Sequence, residues 1–563
     1  MIAEKRWKLH AQYKDVADKL ATTLNISPII AQLLLNRNIT TIQQAIDFLD
    51  EDPKETQFQI EKLESLYRMI KDCIDDKKPI FVYGDYDVDG MTSTAMMVTC
   101  LTSLGGVVRY KLPHRFKDGY GLNKGIVELI KEEACGLFIT LDCGITNVEE
   151  IALIKQETNV NVIIIDHHQI PNPAPNADIT LNSKAPDTPV ALQDLCTAGL
   201  VYKLVSYIGS QDARIEESYY LLLSAIGTVA DVVTLQGENR RIVKAGLRLL
   251  YKVKNMGLLA LLKEAKWDKK SLSVYDVGFV IGPRLNASGR LSSANYGVEL
   301  LLTQDQNRAT EIAQYLEKIN FQRRELDRNV VAESMDLVNE SSNYQKQSVL
   351  VLGKQAWHAG VIGIAASKLV AEYSKPVVIV GIDNDIARGS ARSMGDVNIY
   401  KLLKECSHLL TSFGGHKQAA GFSLKPEDFG KFKETLEKVV QTTITKDVLV
   451  DSMSLDMKLA TSDISFELID TLNSLGPFGH GNPNPVFYSD QFRVIDSKLV
   501  GNGKHLKVTL QDEHTKQCFD GIGFNLGKKL SVVYQEKNHI AYSLERNEWN
   551  NQEKIQFNIK DIK

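Results

Sequence analysis

No two of the seven cysteines form a C-x-x-C pair. An odd, scattered set of thiols argues against a zinc ribbon or a disulfide framework and predicts reduced cysteines in a cytosolic chain. No apolar run reaches the roughly 18 residues that cross a bilayer, so no membrane partner is expected. The first residues, MIAEKRWKLHAQYKD, lack the apolar core of a secretory signal, which again predicts a cytoplasmic protein. There is no excess of basic charge either, since the formal net charge is −4. That removes a global field for polyanions but leaves room for a local basic groove. Internal repeats and low-complexity tracts are also absent. What remains is ordinary globular composition, 44% apolar and 24% charged, over 563 residues. At that length about three to five domains are expected.

The pattern along the chain divides it. Residues 1–70 read as helical, with Ser27 as N-cap and Pro28 at the first helical position of SPIIAQLLL. From 71 to 303 apolar strands alternate with helical segments, the mark of an α/β domain around a parallel sheet. Ile312, Leu316, Ile319, Leu326 and Val330 keep helical spacing without glycine or proline, which predicts a long connecting helix over 304–344. A second α/β domain follows at 345–446. Period-two alternation in KHLKVTLQDE and KIQFNIKD then predicts a β-barrel or sandwich over 447–563.

The stretch YGDYDVDG, Tyr83–Gly90, places three aspartates at alternate positions. Close carboxylates repel one another unless a cation screens them. A calcium-binding EF-hand loop needs a bidentate Glu at its twelfth position, and counting from Asp85 that position is Met96. The preceding PIFVY reads as a buried strand and not as an entering helix. A strand ending in carboxylates is the better description. FITLD ends at Asp142 and VIIID at Asp166, followed at once by His167 and His168. Sites in parallel α/β sheets lie beyond the carboxyl ends of the strands, so these acids converge on one edge. Asp85, Asp87 and Asp89 reach the same pole if their loop stays extended, because i and i+2 side chains share a face. Asp231, in GTVADVVTL, adds a further acid.

Any one of these aspartates alone is accounted for as a helix N-cap or a turn residue. Three strand-terminal clusters, one with His-His, point instead to a site. Oxygen donors with imidazole and no cysteine suit Mn²⁺ or Mg²⁺, with the histidine favouring Mn²⁺. Two such ions about 4 Å apart suit phosphoryl chemistry, one activating water and the other steadying the leaving oxygen.

GDYDVDGMTST, LDCGITN, DHHQ and GTVADVVTL, in this order, resemble the four motifs of the DHH phosphoesterases. GPRLNASGRL, WHAGVIGIAASKL, GSARS and GGHKQAAGF extend the match, and as a set they resemble the RecJ family within that superfamily over nearly the whole chain. The resemblance implies a fold of two α/β domains, a DHH domain and a DHH-associated domain, joined by a long helix around a cleft, with a C-terminal OB-fold barrel. It implies that Asp87, Asp89, Asp142, His167 and Asp231 hold the metals, with Asp142 bridging two divalent cations, Mn²⁺ or Mg²⁺. His168 would sit beside the scissile phosphate. Asp85 would be a ligand or an acceptor behind the ligands. In the pyrophosphatase branch a histidine lies four residues before the DxD pair; here that position is Tyr83.

Ser390 and Arg392 of GSARS offer a hydroxyl and a planar fork for phosphate, and the glycines would let backbone N–H groups approach it. The resemblance adds Arg115, Arg284, Arg290 and His416 to a phosphate- and DNA-binding set. In the barrel, Lys504, His505, Lys507, Phe519, Phe524 and Trp549 are candidates for a basic groove with stacking aromatics. The implied activity is 5′-to-3′ exonucleolytic hydrolysis of single-stranded DNA to 5′-mononucleotides, in recombination and repair. The implied partners of this expected monomer are single-stranded DNA with a 5′ end, a single-strand-binding protein and a helicase. Two other readings stay open: a DHH phosphodiesterase for short oligonucleotides or cyclic dinucleotides, and a non-catalytic single-strand-binding scaffold.

Overall fold

The computed structural model describes residues 5–50, 55, 56, 58, 60–119, 121–341, 343, 344, 347–443, 452–534, 538–549 and 552–563. The chain divides into two compact units. One comprises residues 43–321 with 474–484; the other comprises 1–42, 322–473 and 485–563. Among the described residues no helix is long and apolar enough to cross a membrane.

The N-terminal region is not wholly helical. It opens with strand β1 (Arg6–Leu9) before helices Lys14–Leu24 and Pro28–Asn36. Ser27 caps the second helix, its hydroxyl accepting from the Ile29 N–H at 3.1 Å. Four residues of mixed polarity gave β1 no periodic signal; it forms because a distant strand pairs with it.

In the 43–321 unit, strands β2 (Ile80–Gly84), β3 (Val108–Lys111), β4 (Leu137–Leu141), β5 (Asn161–Asp166) and β6 (Ile179–Asn182) build a parallel sheet of order β3-β2-β4-β5-β6. β2 and β4 are buried at every residue, as expected of strands covered on both faces. Ile80 and Val82 face one core, with Leu137, Ile139 and the helices Val88–Ser103, Thr197–Gln211 and Glu217–Ala230. Phe81 and Tyr83 face the other, with Phe138, Ile151 and Ile154. Helix Gln306–Glu340 then runs 35 residues, close to the predicted span.

In the other unit, β7 (Leu350–Gln355), β8 (Val377–Ile382), β9 (Ala387–Arg392), β10 (Ser412–Gly415) and β11 (Ala419–Leu424) form a sheet of order β10-β11-β9-β8-β7. Only β7 and β8 are parallel. GSARS therefore lies at the end of β9, and GGHKQAAGF spans the β10–β11 hairpin. A Cβ on Gly389 would lie 2.0 Å from the Phe422 ring, so glycine lets that ring lie flat across the neighbouring backbone.

β12 (Ser452–Leu455) pairs in parallel with β1. β13 (Met457–Lys458), β14 (Phe487–Ser489), β15 (Phe492–Val500), β16 (His505–Asp512), β17 (Cys518–Gly523), β18 (Ile540–Trp549) and β19 (Gln552–Ile562) make the expected C-terminal β domain, a seven-stranded sheet of order β13-β14-β18-β19-β17-β16-β15. The period-two pattern is realised in β16: Leu506, Val508 and Leu510 are buried while His505, Lys507 and Thr509 face outward. The expected division between 446 and 447 lies outside the described residues.

Composition gave no sign that Ser474–Asn484 belongs with the 43–321 unit. Arg240, 3% exposed, stacks 4.0 Å from the Phe48 ring and donates to the carbonyls of Ser474, Leu475 and Gly476 at 3.3, 3.4 and 2.7 Å. Each charge-assisted bond of this kind is worth about 1.5–3 kcal/mol. Deleting residues 447–563 is therefore expected to lower the thermal midpoint of the remaining chain, and Arg240→Met in that truncated chain to restore part of the loss. Equal midpoints for full-length and truncated chains in scanning calorimetry would remove this role for the segment.

Candidate metal centre

β3 lies on one side of β2 and β4 on the other, so the chain reverses its winding direction between β2 and β4. Such a reversal opens a crevice at the carboxyl ends of the two strands. Asp85 follows β2 and Asp142 follows β4. Both are held in extensions of the ladder, the Asp85 N–H donating to Leu141 O at 3.1 Å and the Asp142 N–H to Ile165 O at 3.0 Å. Asp142 has φ +64, a left-handed conformation that aspartate tolerates better than most residues.

The three aspartates of YGDYDVDG do not lie on an extended loop. Asp87 is the N-cap of helix Val88–Ser103, its Oδ1 accepting from the N–H groups of Asp89 at 2.9 Å and Gly90 at 3.2 Å. Asp89 sits in the first turn. The turn is tight: a Cβ on Gly90 would lie 2.4 Å from Asp85 O. Asp89 accepts in turn from Thr197 N at 2.9 Å and Ala198 N at 2.7 Å, the opening residues of helix Thr197–Gln211. Asp231 stands at the C-cap of helix Glu217–Ala230.

Seven side chains thereby meet in three overlapping groups of potential ligands, each with ligand atoms within 4.8 Å of one another: Asp85, Asp87 and Asp142; Asp89, His167 and Asp231; Asp142, His167 and His168. Asp142 and His167 each belong to two groups. His167 Nε2 lies 3.3 Å from Asp142 Oδ1, 3.7 Å from Asp231 Oδ2 and 3.9 Å from Asp89 Oδ2. Thr197 Oγ1 donates to Asp142 Oδ1 at 3.1 Å. Asp85 Oδ1 is buried with no hydrogen-bond partner among the described residues. A buried carboxylate oxygen without a donor, beside four more carboxylates, fits a hard divalent cation.

The charges respond to this crowding. Burial first, and then the facing aspartates, push Asp89 up to about 6 and Asp231 up to about 9. The same causes raise Asp85 and Asp142 well above the carboxylate range. The two adjacent histidines part company. Burial and the neighbouring His168 lower His167 to about 4, leaving a neutral imidazole suited to ligation. His168 is raised against the cost of its burial, because its Nδ1 shares a proton with Asp166 Oδ1 at 2.7 Å. Asp166, the third strand-terminal acid, therefore does not join the cluster. It is consumed in accepting from His168 and from the Ile145 N–H at 3.1 Å.

A cavity of about 330 Å³ opens over the cluster, bounded by Tyr86, Arg115, Ala230, Asn286, Gly289 and Arg290 besides the acids and histidines. Arg115 lies 5.0 Å from the Tyr86 ring. Helix Gly282–Leu291 leans on the acid loop at Gly289, where a Cβ would lie 2.3 Å from Tyr86 O. Arg284 departs from expectation. It is buried on this helix, paired with Glu317 at 2.6 Å and bonded to Val280 O, and it does not line the cavity. Tyr83 is likewise turned away, its ring in the opposite core and its hydroxyl on Gly121 O. Thr197 and Asn286 are the site residues that sequence reasoning missed. Of these, only Asn286 carried a signal, its place within GPRLNASGRL.

Ser390, Arg392 and His416 belong to the other unit. Arg392 Nη1 donates to Ser390 Oγ and Ala391 O, both at 2.9 Å. Arg392 pairs with Ala419, whose carbonyl accepts from His416 N at 2.8 Å, so the three share one end of β9 and the β10–β11 hairpin. In the C-terminal sheet, Phe519 is a core residue packed on Phe492 and Phe557, not a stacking surface. Phe524 is 55% exposed and stands edge-on to His505. Lys504 is exposed and Lys507 half-buried; the Trp549 side chain lies outside the described residues.

An acid whose pKa rises on folding favours the folded chain at low pH and loses that contribution as pH climbs through the raised value. With Asp89 near 6 and Asp231 near 9, the metal-free chain should lose stability from about pH 4, the ordinary carboxylate range, upward; the share of Asp89 is gone by about 6 and that of Asp231 runs on to about 9. A cation displaces the same protons. Adding Mn²⁺ to the chelator-treated protein at pH 7 should release protons in weakly buffered solution. The rise in melting midpoint on metal addition should widen from pH 6 to pH 9, and a pH-independent rise would contradict the charge assignment.

Three family models match in chain order: the DHH family N-terminal domain over residues 79–228, the DHHA1 domain over 346–442 and the RecJ OB domain over 455–561. The single-stranded-DNA-specific exonuclease RecJ of Bacillus subtilis is 34% identical, over all of this chain and 71% of that relative. Its counterpart from Haemophilus influenzae is 30% identical over 90% of this chain and 91% of that one. A crystal structure of RecJ from Thermus thermophilus in complex with Mn²⁺ matches with a TM-score of 0.84 and 26% identity, covering 100% of this chain and 80% of that chain. With 30% identity over about nine tenths of both this chain and the Haemophilus influenzae relative, the chain belongs to the RecJ family of single-stranded-DNA-specific exonucleases.

Proposed function

We propose that the chain is a divalent-cation-dependent exonuclease that hydrolyses single-stranded DNA from its 5′ end to 5′-mononucleotides, in recombination and repair. The observation that carries this reading is the pair of shared ligands: Asp142 and His167 each serve two groups of the cluster. We assign Asp87, Asp89, Asp142, His167 and Asp231 to two cations, Mn²⁺ or Mg²⁺, with Asp142 between them. Asp85, whose Oδ1 lacks a donor, completes the site on the Asp87 side. When bound, such ions polarise the attacking water and neutralise the departing oxygen.

The chain's own groups do the rest. His168, held by Asp166, presents a proton toward the cavity, where it can bind a phosphate oxygen or pass to the leaving oxygen. Arg115 and Arg290, both lining the site, offer planar donors to a phosphodiester. Thr197 fixes Asp142, and the first N–H groups of its helix fix Asp89, so the acids need not reorganise as charge develops. Ser390, Arg392 and His416 are assigned to the terminal phosphate, and the C-terminal sheet to strand not yet cleaved, with Lys504, Lys507 and Phe524 as contacts. We further infer a cytoplasmic monomer acting on strands freed by a helicase and carried by single-strand-binding protein. The direct experiment is digestion of end-labelled single- and double-stranded DNA with Mn²⁺ and Mg²⁺ supplied separately. Mononucleotides released first from a 3′ end would reverse the assigned polarity.

Asp142→Asn retains side-chain shape and tolerance of the left-handed backbone while removing the shared charge. It is expected to abolish hydrolysis, lower cation content and leave the circular dichroism spectrum unchanged. Substantial nuclease activity in the folded variant would refute the two-cation assignment.

Arg392→Ala is expected to weaken binding of 5′-phosphorylated ends by about 1.5–3 kcal/mol, the range of a charge-assisted hydrogen bond. Cation content should not change. Equal rates of wild type and variant on phosphorylated ends would dismiss Arg392 as the anchor.

A further inference from the structure

The helix that leans on the acid loop continues backward into a segment with a different chemistry. Val274–Asp276, the π-helical turn Val277–Ile281 and helix Gly282–Leu291 run without a break. Tyr275, Phe279, Pro283, Asn286 and Arg290 recur along it at three- and four-residue spacing and are accessible. Val277, Ile281, Leu285 and Ala287, between them, are buried. At the far end of this stripe Asn286 and Arg290 line the catalytic cavity. At the near end Tyr275 and Phe279 are 61% and 67% exposed, with ring centroids 4.6 Å apart and planes 25° from parallel. Lys269 Nζ lies 5.7 Å from the centre of the Tyr275 ring.

Two large aromatic rings left this open contribute little to a core. Their mutual stacking holds them as a flat surface before anything binds. The interposed π-turn costs helix geometry, and such turns recur at functional sites. We propose that Tyr275 and Phe279 form a stacking platform for nucleobases of the single strand on the 3′ side of the nucleotide being cleaved. This rests on the nuclease reading above. Phe279 stands 11 residues before Arg290, about 16 Å at the rise of a helix, so the platform lies a few nucleotides from the reacting phosphate. The stripe passes from π-faces through an amide to a guanidinium; Lys269, beside the Tyr275 ring, is paired with the buried Asp276 at 2.8 Å, so the cation that faces a phosphate is Arg290. That order suits a polyanion carrying bases better than an apolar peptide. Stacking of this kind accepts any base, as a nuclease without sequence preference requires.

The test combines a double variant, Tyr275→Ala with Phe279→Ala, with substrates bearing a single abasic residue at successive positions from the 5′ end. In the wild-type protein an abasic residue a few nucleotides in should raise KM about tenfold, the middle of the range for one lost stack. The double variant should show the same rise on intact long strands, unchanged kcat, no further penalty at that abasic position, and wild-type rates on oligomers too short to reach the rings. Phe279→Trp should retain the wild-type abasic profile and Phe279→Leu should not. Identical abasic profiles in wild type and double variant, or full rescue by leucine, would overturn the platform and leave the nuclease reading intact. If the wild-type chain cleaves no single-stranded DNA, the nuclease reading fails and the platform fails with it.

Discussion

Mutual repulsion among the carboxylates of Asp85, Asp87, Asp89, Asp142 and Asp231 is the constraint around which the 43–321 unit is organised. Burial makes that repulsion expensive, and the chain limits it with oriented dipoles before any cation is present. Asp87 caps its own helix, and Asp89 takes the first N–H groups of another. Both acids sit where a helix presents positive partial charge. Asp142 accepts from Thr197, a side chain at the same helix start. Bringing two helix N-termini and a third helix against one loop leaves no space for side chains at the crossings, which accounts for Gly90 and Gly289.

The adjacent histidines illustrate how position within this field assigns a role. They are neighbours in sequence with ring centroids 4.5 Å apart, yet their proton affinities diverge. Burial and the adjacent His168 make His167 lose its proton readily; His168 has a carboxylate behind it that holds the proton on. Two titratable groups pushed apart in this way separate a lone-pair donor from an acid at a single pH. Asp166 makes the division. Its removal from the cluster is what makes His168 a proton donor.

Much of this was legible in the sequence, and the parts that were not share a cause. Apolar strands ending in Asp85, Asp142 and Asp166 predicted a parallel sheet with a site at its carboxyl edge, because strand period and the polarity break are local signals. The long helix was legible for the same reason, and the DHH-type motifs named the acids and histidines that the structure brings together. Strand β1 was not, since it depends on a partner more than 400 residues away in sequence. Nor was the fate of Arg284: the resemblance placed it in the phosphate-binding set, but Glu317 on the next long helix claims it. Thr197 carries no motif at all, and its importance comes from standing where a helix begins opposite Asp89. Non-local pairing is invisible to a window of residues, whether the pair is two strands or an ion pair.

Cysteine has a place in the centre after all, and it sharpens the choice of metal. Cys143 directly follows Asp142, and Cys196 directly precedes Thr197, so thiols adjoin the cluster on two sides. Both are buried, and burial with the facing aspartates holds both thiols protonated far above neutral pH. As thiols they donate, Cys143 to Tyr83 O and Cys196 to Thr228 Oγ1 and to the Asp89 carboxylate. A soft cation would need one of those sulfurs as thiolate, and would have to deprotonate it beside aspartates that already oppose negative charge. Oxygen-seeking cations meet no such barrier, because the carboxylates that repel a thiolate are their ligands. The acid cluster thus disfavours soft metals by the same repulsion that makes it bind hard ones.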